Sequence, residues 1–236
     1  WDGAAWVALG NSLSASGLSA SGGALVSQVL VTSADTVVVW SDDASGQVRL
    51  YAKVFSGGVW TALGAEAATT GLGLSAGQVD VRDLSASTDG DNVAVVWTAF
   101  NSASNARQVY MKELNASGGW AGRAGSDSGA GVSGAVTASA FEAVATYHAQ
   151  PTVAYQGGNL FVAWQGFSDQ GAEIIAVRYV GNAAPTVIDE FATATRPAQP
   201  KLASNGADMQ LAWINNPLRD GPSNLFVRVW NGVQFI

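Results

Sequence analysis

Short apolar runs that each end in tryptophan recur four times along the chain. They read VVVW, VAVVW, LFVAW and MQLAW and end at Trp40, Trp97, Trp164 and Trp213. Each run is bounded by Gly, Asn, Asp and Ser and is too short for a typical helix, which predicts a β-strand between turns. Recurrence of one such segment along a chain is the signature of a fold built from repeated supersecondary units.

Each repeat also contains strand-like runs before and after its tryptophan strand. The preceding runs lie at 28–31, 79–82, 151–154 and 200–203. A further run follows each tryptophan strand, and a W-x-x-L-G strand closes the first repeat at 59–64. Helical periodicity is nearly absent. The pattern therefore predicts an all-β fold made of units at about 11–64, 65–125, 126–190 and 191–236 plus 1–10.

The two ends of the chain look like halves of one unit. Residues 1–10, WDGAAWVALG, match the end of a third strand followed by the W-x-x-L-G strand, and the chain ends with WNGVQFI. We therefore expect the N-terminal strand to complete the last unit. Such closure hides the edge strands that would otherwise pair with other chains.

Four motifs together resemble the repeats of extracellular bacterial β-propellers, which are distantly similar to sialidase and Asp-box propellers. They are a Pro-led first strand, L-x-V-A-W, V-R-x-W-N/D-G and W-x-x-L-G. The resemblance implies one propeller domain over residues 1–236, with about four blades of four antiparallel strands, located outside the cell or on its surface. The second and third units depart from W-x-x-L-G, so a slice of a larger ring is the alternative. A propeller fold does not specify an activity.

Composition excludes several classes of partner and site. The chain has 236 residues, a net charge of −7 and no cluster of Lys and Arg, which argues against nucleic acid and against anionic membrane surfaces. No apolar run is long enough to span a membrane. The absence of cysteine excludes disulfides and thiolate metal sites. The expected partners are a glycan, a protein or further copies of the chain.

Hydrolytic chemistry has little support in the sequence. The single histidine, His148, is not accompanied by a G-x-S-x-G motif. The distant similarity to sialidases implies three arginines that bind a carboxylate, a Tyr/Glu nucleophile pair and an acidic Asp. Tyr147 and Asp83 are available for such roles, but Arg49, Arg178 and Arg228 fall in third strands, away from a central channel. We therefore expect no enzymatic activity and rank a sialidase-like enzyme as the last alternative.

Ligand-binding candidates lie in the loops that follow the tryptophan strands. Phe100 and Phe167 each stand three residues beyond their tryptophan, and Asp43 and Asn216 hold the same register in the other two units. Longer loops add Tyr147, His148, Arg219 and Asp220. Exposed aromatic rings beside amides and carboxylates suit sugars, although the two phenylalanines also suit packing between units.

The sequence thus predicts a non-enzymatic extracellular recognition or assembly module that binds glycan or protein through the loops of one face. A structural subunit of a surface filament or layer is the first alternative. Calcium is the one cofactor that the sequence suggests, because Asp42, Asp89 and Asp91 offer hard oxygen ligands. None of them has EF-hand spacing, and Asp is also common in β-turns.

Overall fold

The computed structural model describes residues 2–14, 16–64, 67–68, 72–114, 118–136, 147–168, 171–192, 196–215 and 223–236. These residues form an all-β structure with a short helix, α1 (Gly131–Gly134), and one 3-10 turn (Arg123–Gly125). None of the described helices is long and apolar enough to cross a membrane. The strands are β1 (Ala24–Val31), β2 (Thr36–Asp42), β3 (Arg49–Ser56), β4 (Val59–Ala62), β5 (Val79–Thr88), β6 (Val93–Asn101), β7 (Ala106–Leu114), β8 (Trp120–Ala121), β9 (Tyr147–Gln156), β10 (Asn159–Ser168), β11 (Gly171–Tyr179), β12 (Thr186–Ala192), β13 (Pro197–Ser204), β14 (Met209–Asn215) and β15 (Asn224–Val229).

The strands form four antiparallel units in chain order. Unit 1 is β1–β4, unit 2 is β5–β8, unit 3 is β9–β12 and unit 4 is β13–β15. Units 2 and 3 belong to one hydrogen-bonded sheet because a parallel bridge joins Arg107 to Tyr147. The first strands of successive units, β1, β5, β9 and β13, lie next to one another. Strands predicted from the tryptophan runs are confirmed as β2, β6, β10 and β14.

Three apolar cores lie where successive units meet. Successive side chains of a strand point to opposite faces, so units 2 and 3 each contribute to two cores. In β10, Val162 and Trp164 pack toward unit 2, whereas Phe161 and Ala163 pack toward unit 4. Trp97 and Trp164 are fully buried in these cores. Packing between neighbouring units therefore explains the tryptophans at positions 97, 164 and 213.

Hydrogen bonds also join the first strands of neighbouring units. The side-chain carbonyl of Gln28 in unit 1 accepts from the backbone N–H of Ala86 in unit 2. At the equivalent position of unit 3, the Thr152 hydroxyl accepts from the backbone N–H of Leu202 in unit 4 at 3.1 Å. These bonds hold the first strands in fixed relative positions.

The predicted closure by the N-terminal strand is wrong. The described part of residues 2–14 contains no strand and lies against unit 1, where the carbonyl of Leu9 accepts from the indole N–H of Trp60 at 2.8 Å. At the other end, residues 230–236 turn back on β15, with Trp230 bridged to Phe235. The sheets consequently do not close into a ring.

Unit 4 exposes the apolar face that unit 3 buries. Leu225 and Val227 are 70% and 54% exposed, whereas the residues at the same register in unit 3, Ile174 and Ala176, are 0% and 1% exposed. Unit 4 itself covers the face of unit 3. The open face of unit 4 therefore has the chemical character of an interface between units.

This difference predicts unequal effects of one substitution at equivalent positions. Ile174→Ala is expected to lower the free energy of unfolding by about 2–5 kcal/mol, because it leaves a cavity between two sheets. Leu225→Ala is expected to change it by less than about 0.5 kcal/mol, because the side chain faces solvent. Urea unfolding of both variants measures the two values. A cost for Leu225→Ala as large as that for Ile174→Ala would show that another sheet covers this face in solution.

Candidate functional site

The first strands of units 2, 3 and 4 share a β-bulge at one position. In each, two residues of the first strand oppose the single tryptophan of the neighbouring strand. The first of the two bulge residues is Asp83, Gln150 or Gln199, with φ of 56°, 53° and 55°. The left-handed region is costly for residues other than glycine, and such backbone strain is concentrated at functional sites. The bulges therefore mark a candidate site.

The three bulges meet in one cleft. It has a volume of about 300 Å³ and is lined by Asp83, Leu84, Gln150, Pro151, Gln199 and Lys201. The side-chain carbonyl of Gln150 accepts from the backbone N–H of Gln199 at 2.8 Å, and Asp83 accepts from the Thr98 hydroxyl at 2.9 Å. One carboxylate, one ammonium and two amides thus converge on a central cleft between three units.

A second carboxylate lies on the same strand as Asp83. Asp80 also has a left-handed backbone, with φ of 51°. It forms ion pairs with Arg82, at 2.8 Å, and with the buried Arg107. The Arg107 guanidinium lies 5.7 Å from the centre of the Tyr147 ring. This network fixes the beginning of β5 against unit 3, with Asp80 three residues before Asp83 on the same strand.

The aromatic residues predicted from the loops lie at the rim of the structure. Phe100 pairs with Val79 at the start of β5, and Phe167 pairs with Tyr147 at the start of β9. The rings of Tyr147 and Phe167 are 5.6 Å apart in an edge-on arrangement. Strands β5 and β9 therefore each begin beside an aromatic side chain. The ligand role of these residues stays a prediction.

The other predicted ligand residues do not join them. His148 is 1% exposed and packs edge-on against the Trp164 ring, so it belongs to the core between units 2 and 3. Asp43 is exposed in unit 1, and its backbone N–H donates to the carbonyl of Gly23. Asn216, Arg219 and Asp220 lie outside the described residues.

Of the three aspartates proposed for calcium, Asp89 and Asp91 share the turn between β5 and β6, whereas Asp42 ends β2. Asp42 accepts from the Ser21 hydroxyl, and Asp91 accepts from the Ser33 hydroxyl at 2.8 Å. Asp89 accepts from the backbone and side-chain amides of Asn92, which also lowers the pKa of its carboxyl. Among the described residues, no group of three or more acidic or histidine side chains is placed to hold a metal ion.

Sequence reasoning missed Gln150, Gln199 and Lys201. A signal was present, because Asp83, Gln150 and Gln199 each lie 14 residues before the tryptophan of their unit, at positions 97, 164 and 213. In units 3 and 4 this residue is followed by proline. A Gln-Pro pair inside a strand-like run indicates a bulge, because proline cannot donate to a central ladder.

Two buried ionisable groups lie on the face of unit 3 that contacts unit 2. Burial raises the pKa of Glu173 to about 7, together with the hydrogen bond that its protonated carboxyl donates to the neighbouring Glu190 carboxylate. Burial lowers the pKa of His148 to about 4. The Glu173 contribution to stability is present below pH 4.5 and is lost as the pH rises through 7. The His148 contribution is present above pH 6.5 and is lost as the pH falls through 4.

These opposite dependences predict a stability that changes little between pH 5 and 8. In Glu173→Gln only the pH dependence from His148 remains. The free energy of unfolding is then expected to rise by about 2 kcal/mol from pH 5 to 8. In His148→Gln it is expected to fall by a similar amount. Urea unfolding at pH 5, 6.5 and 8 measures these slopes. Parallel pH profiles for the wild type and Glu173→Gln would contradict the assignment.

Comparison with solved structures identifies the fold to which the four units belong. The Trypanosoma rangeli sialidase in complex with the inhibitor DANA superposes on 91% of the chain with a TM-score of 0.59 and 10% identity, over 37% of its own length. A thermostable family-43 glycoside hydrolase has a TM-score of 0.51 at 8% identity, covering 90% of this chain and 74% of that one. The Bombyx mori GH32 β-fructofuranosidase BmSUC1 has a TM-score of 0.51 at 11% identity, covering 90% and 48%.

At 8–11% identity, the similarity is one of fold alone. No protein-family model matches the sequence. No curated protein matches it either. The chain spans just over a third of the length of the sialidase.

These similarities correct the functional prediction. The three solved structures described above are a sialidase and two other glycoside hydrolases, which is the class that the sequence ranked last. The prediction of a non-enzymatic recognition or assembly module is wrong by this comparison.

Proposed function

We propose that this chain is part of a glycan-processing enzyme, a glycoside hydrolase with a β-propeller catalytic domain. The four units are then four consecutive blades, and the cleft between the bulged strands is the substrate site. The observation that carries the proposal is the repeated left-handed bulge at Asp83, Gln150 and Gln199, which directs polar groups from three blades into one cleft. The enzymes with the same fold support the reaction class.

The chemistry of glycoside hydrolysis assigns roles to these groups. Most such enzymes use two carboxyl groups, one that protonates the leaving oxygen and one that acts as base or nucleophile. Asp83 lies in the cleft and is oriented by the Thr98 hydroxyl, so we assign it the reacting carboxyl. Asp80, held between two arginines, is the second carboxylate.

The remaining polar groups of the cleft suit binding of the sugar. The side chains of Gln150 and Gln199 offer amide donors and acceptors for sugar hydroxyls, and Lys201 offers a third donor. The backbone of Gln199 is already tied to Gln150, which limits motion of this wall. Preorganised donors of this kind stabilise charge that develops in the transition state.

Hydrolysis of model glycosides tests the proposal. The protein at its natural length is incubated with a fluorogenic sialoside, nitrophenyl pentosides and sucrose, and released aglycone or reducing sugar is measured. We expect hydrolysis of at least one substrate by the wild type and loss of that activity in Asp83→Asn. Calorimetric titration with the same sugars provides a second measurement. Absence of both turnover and sugar binding would rule the proposal out.

A further inference from the structure

A second cleft lies beside the start of β5 and the end of β6. Its volume is about 310 Å³, similar to that of the central cleft. The residues that line it include Gln78, Phe100, Asn101 and Tyr110. The Phe100 ring is 36% exposed and forms an aromatic wall. An aromatic wall with a few convergent polar groups is the usual composition of a small-molecule site.

The polar wall of this cleft is held by hydrogen bonds. The Tyr110 hydroxyl and the Asn101 side-chain amide both donate to the carbonyl of Gly129, at 3.1 and 2.6 Å. The Gln78 side-chain amide donates to the carbonyl of Asp127 at 3.3 Å, and its carbonyl accepts from the indole N–H of Trp97. The cleft is therefore preformed, which reduces the entropy lost on binding.

Phe100 differs from its counterpart in unit 3. Phe167 packs edge-on against Tyr147, which supplies the ring with an aromatic partner. Phe100 lies opposite Val79, and among the described residues no aromatic ring packs on it. A partly exposed ring beside polar groups that are held in place can stack against a flat apolar surface, such as the face of a sugar.

Strand β5 connects the two clefts. Val79 pairs with Phe100, and Asp83 of the central cleft follows four residues later on the same strand. Because β5 is bulged here, the regular partner strand gives the separation: β6 runs three residues from Phe100 to Trp97, which lies opposite Asp83, so at about 3.3 Å per residue the two sites are roughly 10 Å apart. One sugar ring cannot reach both positions, whereas a short oligosaccharide can.

We propose that the Phe100 cleft is a subsite for the sugar residues beyond the one that is cleaved, so that the substrate is an oligosaccharide. This inference rests on the proposed function, since it takes Asp83 as the reacting carboxyl. Binding energy at a distant subsite raises kcat/KM for long substrates and leaves short ones unaffected. Phe100 is then a specificity-determining residue.

Chain-length dependence of the rate tests the inference. Fructo-, xylo- and sialo-oligosaccharides of one to five residues are assayed with wild type, Phe100→Ala, Phe100→Tyr and Phe226→Ala. Phe226 is the matched control, because it is 40% exposed on β15 in unit 4. For Phe100→Ala we expect kcat/KM to fall about tenfold on the longer substrates and to stay unchanged on aryl monosaccharides, the loss expected for one aromatic contact. Phe100→Tyr should keep the wild-type profile.

The outcomes separate the subsite from the proposed function. Equal effects of Phe100→Ala on short and long substrates, or no effect on either, would overturn the subsite while activity that depends on Asp83 still stands. If no substrate is hydrolysed, calorimetric titration with the longest oligosaccharides decides. Binding that weakens about tenfold in Phe100→Ala, but not in Phe226→Ala, supports the subsite, and binding that is absent or equal in both variants overturns it.

Discussion

Replacement of Trp164 by alanine is expected to lower the free energy of unfolding by about 3–5 kcal/mol. The side chain is 0% exposed and lies in the core between units 2 and 3 with Val96, Met111 and Ile175. Removal of the indole loses the burial of a large apolar surface and leaves a cavity that two hydrogen-bonded sheets cannot fill. The effect is large because the repeat places its largest side chain at the contact between units.

Urea unfolding followed by circular dichroism measures this loss. Trp6→Ala is the matched control, because Trp6 is 85% exposed and its removal should change stability by less than about 0.5 kcal/mol. The slope of the free energy against urea should stay the same if unfolding remains two-state. A loss for Trp164→Ala below about 1 kcal/mol would mean that the units do not pack as described.

The strands were predictable because their signal is local. In β6 and β10 the apolar side chains alternate over two faces, and both faces are buried against neighbouring units. Closure of the ring was predicted wrongly because similarity between residues 1–10 and the other W-x-x-L-G segments says nothing about which sheet they contact. In the structure Leu9 is hydrogen-bonded to Trp60 in unit 1.

The central cleft was missed for a physical reason. It combines Asp83, Gln150 and Lys201, which are far apart in the chain and meet only because first strands lie side by side. Sequence reasoning placed the ligand residues in the loops after the tryptophan strands. The bulges instead place polar side chains within strands. There the alternation of apolar and polar residues predicts which side chains are buried or exposed, but it does not predict a ligand site. Phe100, predicted from its register, does line a cleft.

Asp83→Asn is expected to lower kcat by about 10²–10⁴-fold on any glycoside that the protein hydrolyses, because the amide can neither donate a proton nor act as base. Asn keeps the size of Asp and can still accept from the Thr98 hydroxyl, so substrate binding should change little. The side chain is exposed to the cleft, and unfolding should shift by less than about 0.5 kcal/mol. The measurement is kcat at saturating substrate, together with urea unfolding of the same preparation.

Asp91→Asn is the control, since Asp91 lies in an exposed turn and does not line the central cleft. Asp80→Asn is a less direct test, because it removes the ion-pair partner of the buried Arg107 and should cost about 1–3 kcal/mol of stability. A fall in kcat for Asp80→Asn must therefore be corrected for the fraction of protein that is unfolded. A fall in kcat for Asp83→Asn needs no such correction and reports on the reaction itself. Full activity of Asp83→Asn would exclude this carboxyl from the chemistry and leave Asp80 as the reacting group on β5.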